Sequence, residues 1–391
     1  MKKAVCMLLV AVMMLSLCAC GSKEEETIRI GVVGPLTGEG AIFGECLTKC
    51  VQLLGEQRNE AGGVLGKKLE IMIYDNRDDG VETTNVARKA ILNDKCVALI
   101  GTDSSTSTLA LVEVGTANEV PVITHMATNS KVTTTEDGKV RPWAFRACMS
   151  DPQTGAVLGE YAVKECGYEN IAIVYELGSD FSIGVMGEFC KAVENAGGTV
   201  VACEAYNTGD VDYRSVLTKV MNAGEFDALY IAAGYYKQIG LIAKQARELG
   251  MDVPFVSTEG CLSNDLFTIA GDAMEGTVFM QPVDIYSDKV TGYVNDFIEK
   301  WGYDPTVNTA GDTYLAYDAF KLLIGAIEKA GSADPKAIRD ALENTTSIEG
   351  LTCTISFDPA THLVYRDVPI MRITNQDYEM IDLYTPELPG A

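Results

Sequence analysis

From Thr27 onward the chain alternates short apolar runs of β character with longer stretches in which apolar positions recur every three or four residues. Residues 28–33 predict a strand, and 44–60 a helix closed by Ala61-Gly62-Gly63. Residues 68–74, 97–100 and 120–124 predict further strands, with helices at 81–92 and 108–118 between them. A second series follows residues 143–146, with helices predicted at 152–165, 183–196, 214–222 and 239–249 and strands at 171–175, 199–204, 228–232 and 254–256. Residues 275–280 then predict a strand returning toward the first series, followed by helices at 289–301, 311–329 and 335–343. Strands at 353–357, 364–373 and 378–384 complete the chain. Such alternation implies crossover connections and two α/β units, each a mainly parallel sheet flanked by helices. There is no short tandem repeat.

The first 26 residues follow a different grammar. Met1-Lys2-Lys3, an apolar run from Ala4 to Leu17 and small residues ahead of a polar stretch describe a secretory signal over 1–19, too short to span a bilayer comfortably. Leu17-Cys18-Ala19-Cys20 resembles a bacterial lipobox, which makes Cys20 the lipidated new N-terminus and 20–26 a charged tether. The alternative is a plain signal cut near Ala19. The expected location is the cell envelope, on the outer face of the cytoplasmic membrane and held there only by lipid.

Composition narrows the function. A net charge of −24 becomes −26 once Lys2 and Lys3 leave with the signal, and no Lys/Arg cluster offers a footprint for phosphates, so nucleic-acid binding is excluded. Of twelve Cys, nine lie beyond Cys20, an odd number without CxxC spacing. That is a poor disulfide framework and a poor zinc framework, and most of these thiols read as small buried hydrophobes.

No catalytic signature stands out. The glycine-rich turn from Gly34 to Gly44 matches neither GxGxxG nor GxxxxGK[ST], and there is no HExxH or GxSxG, so neither an enzyme nor a cofactor is expected. His125 ends a predicted strand, where a cleft residue and a core histidine are equally good readings. Asp78-Asp79 precedes a helix, where capping and solvation explain both acids. The run from Thr102 to Thr108 is richer: seven polar residues after a strand exceed what a helix cap needs and suit a small anion such as a carboxylate. Ala127-Thr128-Asn129-Ser130 holds the parallel position one strand on. In the second unit the strand ends carry Phe181-Ser182, Gly234-Tyr235-Tyr236 and Thr258-Glu259-Gly260, offering aromatic cover and an acid for a cation.

These pieces together resemble the leucine/isoleucine/valine-binding proteins, the type I periplasmic binding proteins of branched-chain amino acid ABC importers. The resemblance rests on residues 30–38, 59–66, Ile100-Gly101-Thr102 with its Ser/Thr run, Gly234-Tyr235 and Glu259-Gly260. It implies a two-lobed, Venus-flytrap α/β fold, with one lobe from 27–149 plus 283–355, the other from 150–282 plus 356–385, and a tail over 386–391. It also implies a monomer that delivers an amino acid to an ABC permease and its ATPase subunits; a sensing module, or a ligand such as an amide, urea derivative or aromatic acid, are alternatives on the same fold. Carried over residue by residue, Ser105 and Thr128 with the backbone of Met126 would receive the α-carboxylate, and Ser104 sits beside them. Glu259 would meet the ammonium, and Phe43, Phe181 and Tyr235 would enclose the side chain. The disulfide that some relatives carry has no counterpart, because Asp78 and Ser104 stand there.

Overall fold

The computed structural model describes residues 27–384 apart from 39 and 306–310, so the signal, Cys20, the tether and the tail lie outside the described residues. The first lobe is built on a five-stranded parallel sheet in the order β2-β1-β3-β4-β5. Its strands are β1 (Thr27–Gly34), β2 (Lys68–Asp75), β3 (Ala98–Gly101), β4 (Val122–Thr124) and β5 (Ala144–Arg146). Successive side chains of a strand face opposite ways, and the core follows that rule. Ile28, Ile30, Val32, Ala98 and Ile100 enter one apolar cluster, whereas Val33 and Leu99 enter the other. Helix α1 (Ala41–Glu60) covers the first face. Helices α2 (Gly80–Arg88) and α3 (Ser105–Ala117) cover the second.

The second lobe holds β6 (Asn170–Glu176), β7 (Thr199–Tyr206), β8 (Ala228–Ala232), β9 (Phe255–Ser257) and β10 (Val278–Met280), joined through α4 (Asp151–Lys164), α5 (Asp180–Asn195), α6 (Arg214–Ala223), α7 (Tyr236–Glu248) and α8 (Asn264–Ala270). Strand β10 was expected to return toward the first lobe. It pairs instead with β9 inside the second sheet, and the chain leaves only after Met280. Helices α9 (Thr291–Trp301), α10 (Asp312–Ala330) and α11 (Pro335–Glu343) then complete the core under the first sheet.

A small antiparallel sheet follows, of β11 (Ser347–Glu349), β12 (Thr354–Asp358) and β13 (Leu363–Tyr365). Ile348 and Phe357 pack on the first-lobe core, and His362 stacks on Phe145 at 4.6 Å. The expected division between 355 and 356 falls inside β12, and the crossing comes at residues 366–367. Beyond it, β14 (Val368–Thr374), antiparallel to β10, and β15 (Asp377–Tyr384), antiparallel to β14, extend the second sheet to seven strands. The chain therefore crosses between lobes three times, and polar groups pin two of the crossings to the first lobe. Arg146 donates to the carbonyls of Thr128 (2.8 Å) and Asn129 (2.7 Å), and Arg366 pairs with Asp318 at 3.0 Å with both side chains fully buried.

Candidate functional site

In each sheet the strand order reverses beside the first strand, between β1 and β3 and between β6 and β8. Open α/β sheets bind ligands outside the carboxyl ends of strands at such points. The two lobes present these ends to one another around a cavity of about 300 Å³, at the small end of the range for ligand pockets. The first lobe lines it with Gly40, Phe43, Arg77, Asp78, Asp103, Ser104, Thr106 and Met126. The second contributes Glu176, Gly178, Ser179, Phe181, Thr208, Gly234, Tyr235, Gln238, Glu259 and Gly260.

Two glycines allow this convergence. A Cβ on Gly101, whose φ is +136°, would lie 2.0 Å from the carbonyl oxygen of Val33, so only glycine turns the end of β3 toward the cavity. A Cβ on Gly260 would meet the Gly234 oxygen at 2.5 Å, so its absence lets the Glu259 turn press against the Tyr235 loop.

Six of the eight expected ligand-binding residues, Phe43, Ser104, Met126, Phe181, Tyr235 and Glu259, lie on the wall. Ser105 and Thr128 do not. They stand behind it, almost fully buried; Ser105 Oγ accepts from the Asn129 amide at 3.2 Å, and the Thr128 hydroxyl faces the buried Asp151 carboxyl. The helix that starts α3 explains this: it begins at Ser105, three residues before its expected start, with Ser104 as the cap accepting from the Ser107 amide. Ser105 is thereby drawn into the first turn.

Glu259 lies deep in the protein yet keeps part of its surface, as a cavity-lining side chain does. Burial pushes its carboxyl up to about 7. No ion pair to it forms among the described residues. Phe43 and Tyr235 cover the cavity from opposite lobes with ring centroids 5.2 Å apart.

Asp78 and Asp79 take different paths. Asp79 caps α2, accepting from the amides of Val81 and Glu82 at 2.8 Å each. Asp78 turns into the cleft instead of toward solvent. Its Oδ1 accepts from Ser104 and Ser107, and its Oδ2 from the Tyr235 hydroxyl of the other lobe at 2.9 Å. A carboxylate and two hydroxyls thus join the loop after β2 to the start of α3. Burial raises the Asp78 carboxyl above its usual value against the pull of these donors.

His125 proves to be a core residue. Its ring is fully buried behind the first-lobe wall, with Nε2 2.7 Å from Asp312 Oδ1 and 3.4 Å from Asp103 Oδ1. Burial alone would favour the neutral ring, but the two carboxylates outweigh it and hold the proton on. Asp103 and Thr106 belong to the polar run already singled out, whereas Arg77, Glu176, Ser179, Thr208 and Gln238 are wall residues that the sequence reading missed. The signal available for them was their place at or near strand ends, read without a motif.

The geometry agrees with comparison to known proteins. The family model for periplasmic binding proteins matches residues 27–378. A leucine-, isoleucine-, valine-, threonine- and alanine-binding protein of Pseudomonas aeruginosa is 32% identical over 338 residues, 86% of this chain and 87% of that protein. The crystal structure of a leucine-binding protein from Thermotoga maritima superposes with a TM-score of 0.83 at 29% identity, covering 92% of this chain and 99% of the other. A branched-chain amino acid transporter substrate-binding protein from Streptococcus pneumoniae, solved with isoleucine, gives 0.81 at 28% identity and covers 92% and 100%. These are substrate-binding proteins with the same two-lobed fold, and the chain belongs to the periplasmic binding protein family.

Proposed function

We propose that the protein captures an α-amino acid between its lobes and delivers it to the permease of an ABC importer. Glu259 carries this reading. A carboxylate deep in a cavity with no cation of its own calls for a cationic ligand group, and an α-ammonium fits. The α-carboxylate is assigned to the first-lobe wall at the start of α3, with the backbone of Met126 and the Ser105 hydroxyl immediately behind, because the Ser104 hydroxyl already donates to Asp78. Phe43, Phe181 and Tyr235 enclose the side chain. The names of the relatives make branched-chain amino acids the first ligands to test.

Transport follows from closure. A hinge motion buries the ligand, and the importer takes up the closed form. Cys20 is proposed to carry the lipid that keeps the protein beside its permease, which raises their effective concentration. A thermal-shift screen over the proteinogenic amino acids tests the capture claim, because a ligand that binds only the folded state raises the melting temperature. A screen without a responding amino acid overturns it. Intact-mass analysis of the membrane fraction tests the anchor: a mature chain without a diacylglyceryl mass on Cys20 rules it out.

A further inference from the structure

The second lobe carries a pair of thiols that the cavity does not use. Strand β7 stands at the edge of the seven-stranded sheet, paired with β6. Along that pairing the register steps over Val201: Ile171 lies opposite Val200, but Ala172 lies opposite Ala202 and Ile173 opposite Cys203. Residues opposite one another on neighbouring strands share a face of the sheet. Ile173 belongs to the apolar cluster that α5 closes with Val185, Phe189 and Val193. The irregularity at Val201 therefore turns Cys203 toward α5, where an unbroken register would have turned Ala202. Cys190 packs on the same cluster from α5, and the two side chains meet there, thiol to thiol, at the open edge of the sheet. Cys203 alone among the nine described thiols is exposed, and Cys190 is half-buried.

We propose that Cys190 and Cys203 are a dithiol site, converted to a disulfide by exchange with a small-molecule disulfide of the glutathione type. Such bonds persist outside the cytoplasm. The two thiols divide the chemistry between them. Contact with Cys190 holds the Cys203 thiol below its usual range, whereas the same contact, together with burial, raises Cys190. An exposed thiol of lowered pKa beside a resolving thiol is the arrangement of a reactive pair, because the thiolate is the nucleophile. By contrast, burial pushes Cys148 and Cys261 up to about 12. Cys203 loses its proton to water, and its thiolate attacks one sulfur of the reagent RSSR, forming a mixed disulfide and releasing RS−. Cys190 then gives up its proton, its sulfur attacks the Cys203 sulfur, and the second RS− leaves. Each RS− takes up one of the two protons, so two protein thiols are oxidised by two electrons and RSSR is reduced to two RSH. The new bond staples the edge strand to the helix above it. Phe181 near the start of α5 and Thr208 just past β7 both stand on the cavity wall, so the staple joins two elements that carry the site.

Incubating the purified protein with oxidised glutathione, then denaturing, alkylating and weighing it, tests the proposal. The oxidised protein should take up two fewer alkyl groups than the reduced one. Trypsin cuts after Lys191, between the two cysteines, and again after Arg214. Digestion without reductant should therefore yield a linked pair of peptides ending at these residues, with fragment spectra placing the bond on Cys190 rather than Cys166. Cys190→Ser should halt the exchange at the mixed disulfide, leaving one glutathione on Cys203. Cys203→Ser should abolish the linkage and slow the reaction with glutathione at least about tenfold. The peptide map of the unaltered protein stands by itself if either variant does not fold. A full complement of alkyl groups after oxidation, a bond between any other pair, or glutathione that stays on Cys203 in the unaltered protein overturns the proposal. None of these outcomes bears on amino-acid capture.

Discussion

The Tyr235 hydroxyl of the second lobe donates to Asp78 Oδ2 of the first at 2.9 Å, so one hydrogen bond to a carboxylate spans the mouth of the cavity. Two further links join the lobes along the same seam, the first of them exposed. Thr106 Oγ1 donates to Asp180 Oδ2 and accepts from the Asp180 amide, each at 3.2 Å, and Asn129 Nδ2 donates to the Asp180 carbonyl at 2.6 Å. Because Asp78 is also held by Ser104 and Ser107, the Tyr235 contact reports lobe closure directly to the polar loop beside the site.

Tyr235→Phe deletes this latch and keeps the ring that packs on Phe43. A hydrogen bond to a charged group contributes about 1.5–3 kcal/mol, so ligand affinity should fall by roughly tenfold or more. Calorimetry measures the loss, and small-angle scattering should show a larger open fraction. Unchanged affinity and radius would mean that the bond does not hold the lobes.

Glu259→Gln keeps the shape and removes the charge. The variant should lose about 3–5 kcal/mol of amino-acid binding, the cost of leaving a buried ammonium without its counter-ion. An affinity within threefold of the parent protein would remove Glu259 from the site.

Acidity should stabilise the ligand-free protein. Burial pushes the Asp151 carboxyl up to about 8 and Glu259 up to about 7, so the folded state holds protons that the unfolded chain has released above about pH 4. His125, raised by Asp312 and Asp103 against its burial, likewise keeps its proton above the pH where an unfolded histidine loses it. All three bind more protons folded than unfolded, so stability declines as pH rises between these limits. The melting temperature should fall by roughly 5 °C or more between about pH 5 and pH 8. A bound amino acid should flatten the slope by pairing with Glu259. Melting curves across pH check this, and a melting temperature that rises toward pH 8 would refute it.

Arg366→Ala should cost about 3–5 kcal/mol, because Asp318 would stay buried and charged. Replacing both partners by apolar residues, Arg366→Met with Asp318→Leu, should cost less than the single change. Denaturant titrations of the three proteins decide it, and a double variant weaker than Arg366→Ala would contradict the account.

Most of the fold was legible because hydrophobic period and strand ends are local signals. Strand β8 begins and ends at the expected residues, 228 and 232, and α11 likewise at 335 and 343. Where long-range packing decides, the pattern fell short. Residues 364–373 read as one strand, but the Arg366 side chain is drawn onto Asp318 and the chain changes lobe there, giving β13 and β14. At the site, Glu259 and Tyr235 were visible as an acid and an aromatic just past apolar strands. Asp78 was not, since its neighbour Asp79 satisfies the local need for a helix cap, and only the folded cleft shows that Asp78 is free to turn inward.

The threefold crossing has a bearing on biosynthesis. The first-lobe core joins residues such as Ile30 to Leu323 and Ile338, and the second-lobe core takes in Met371 and Ile373 near the far end of the chain. These faces close only once the late segments have been made, although the opposite faces draw on residues 33–144 and 158–256 alone. A nascent chain of this topology completes both lobes only when residues beyond Val283 emerge. The order of segments along the chain thus makes the last-made residues structural keystones of both lobes, so that removal of the residues beyond Tyr365 would open the second lobe as surely as a cut at its start.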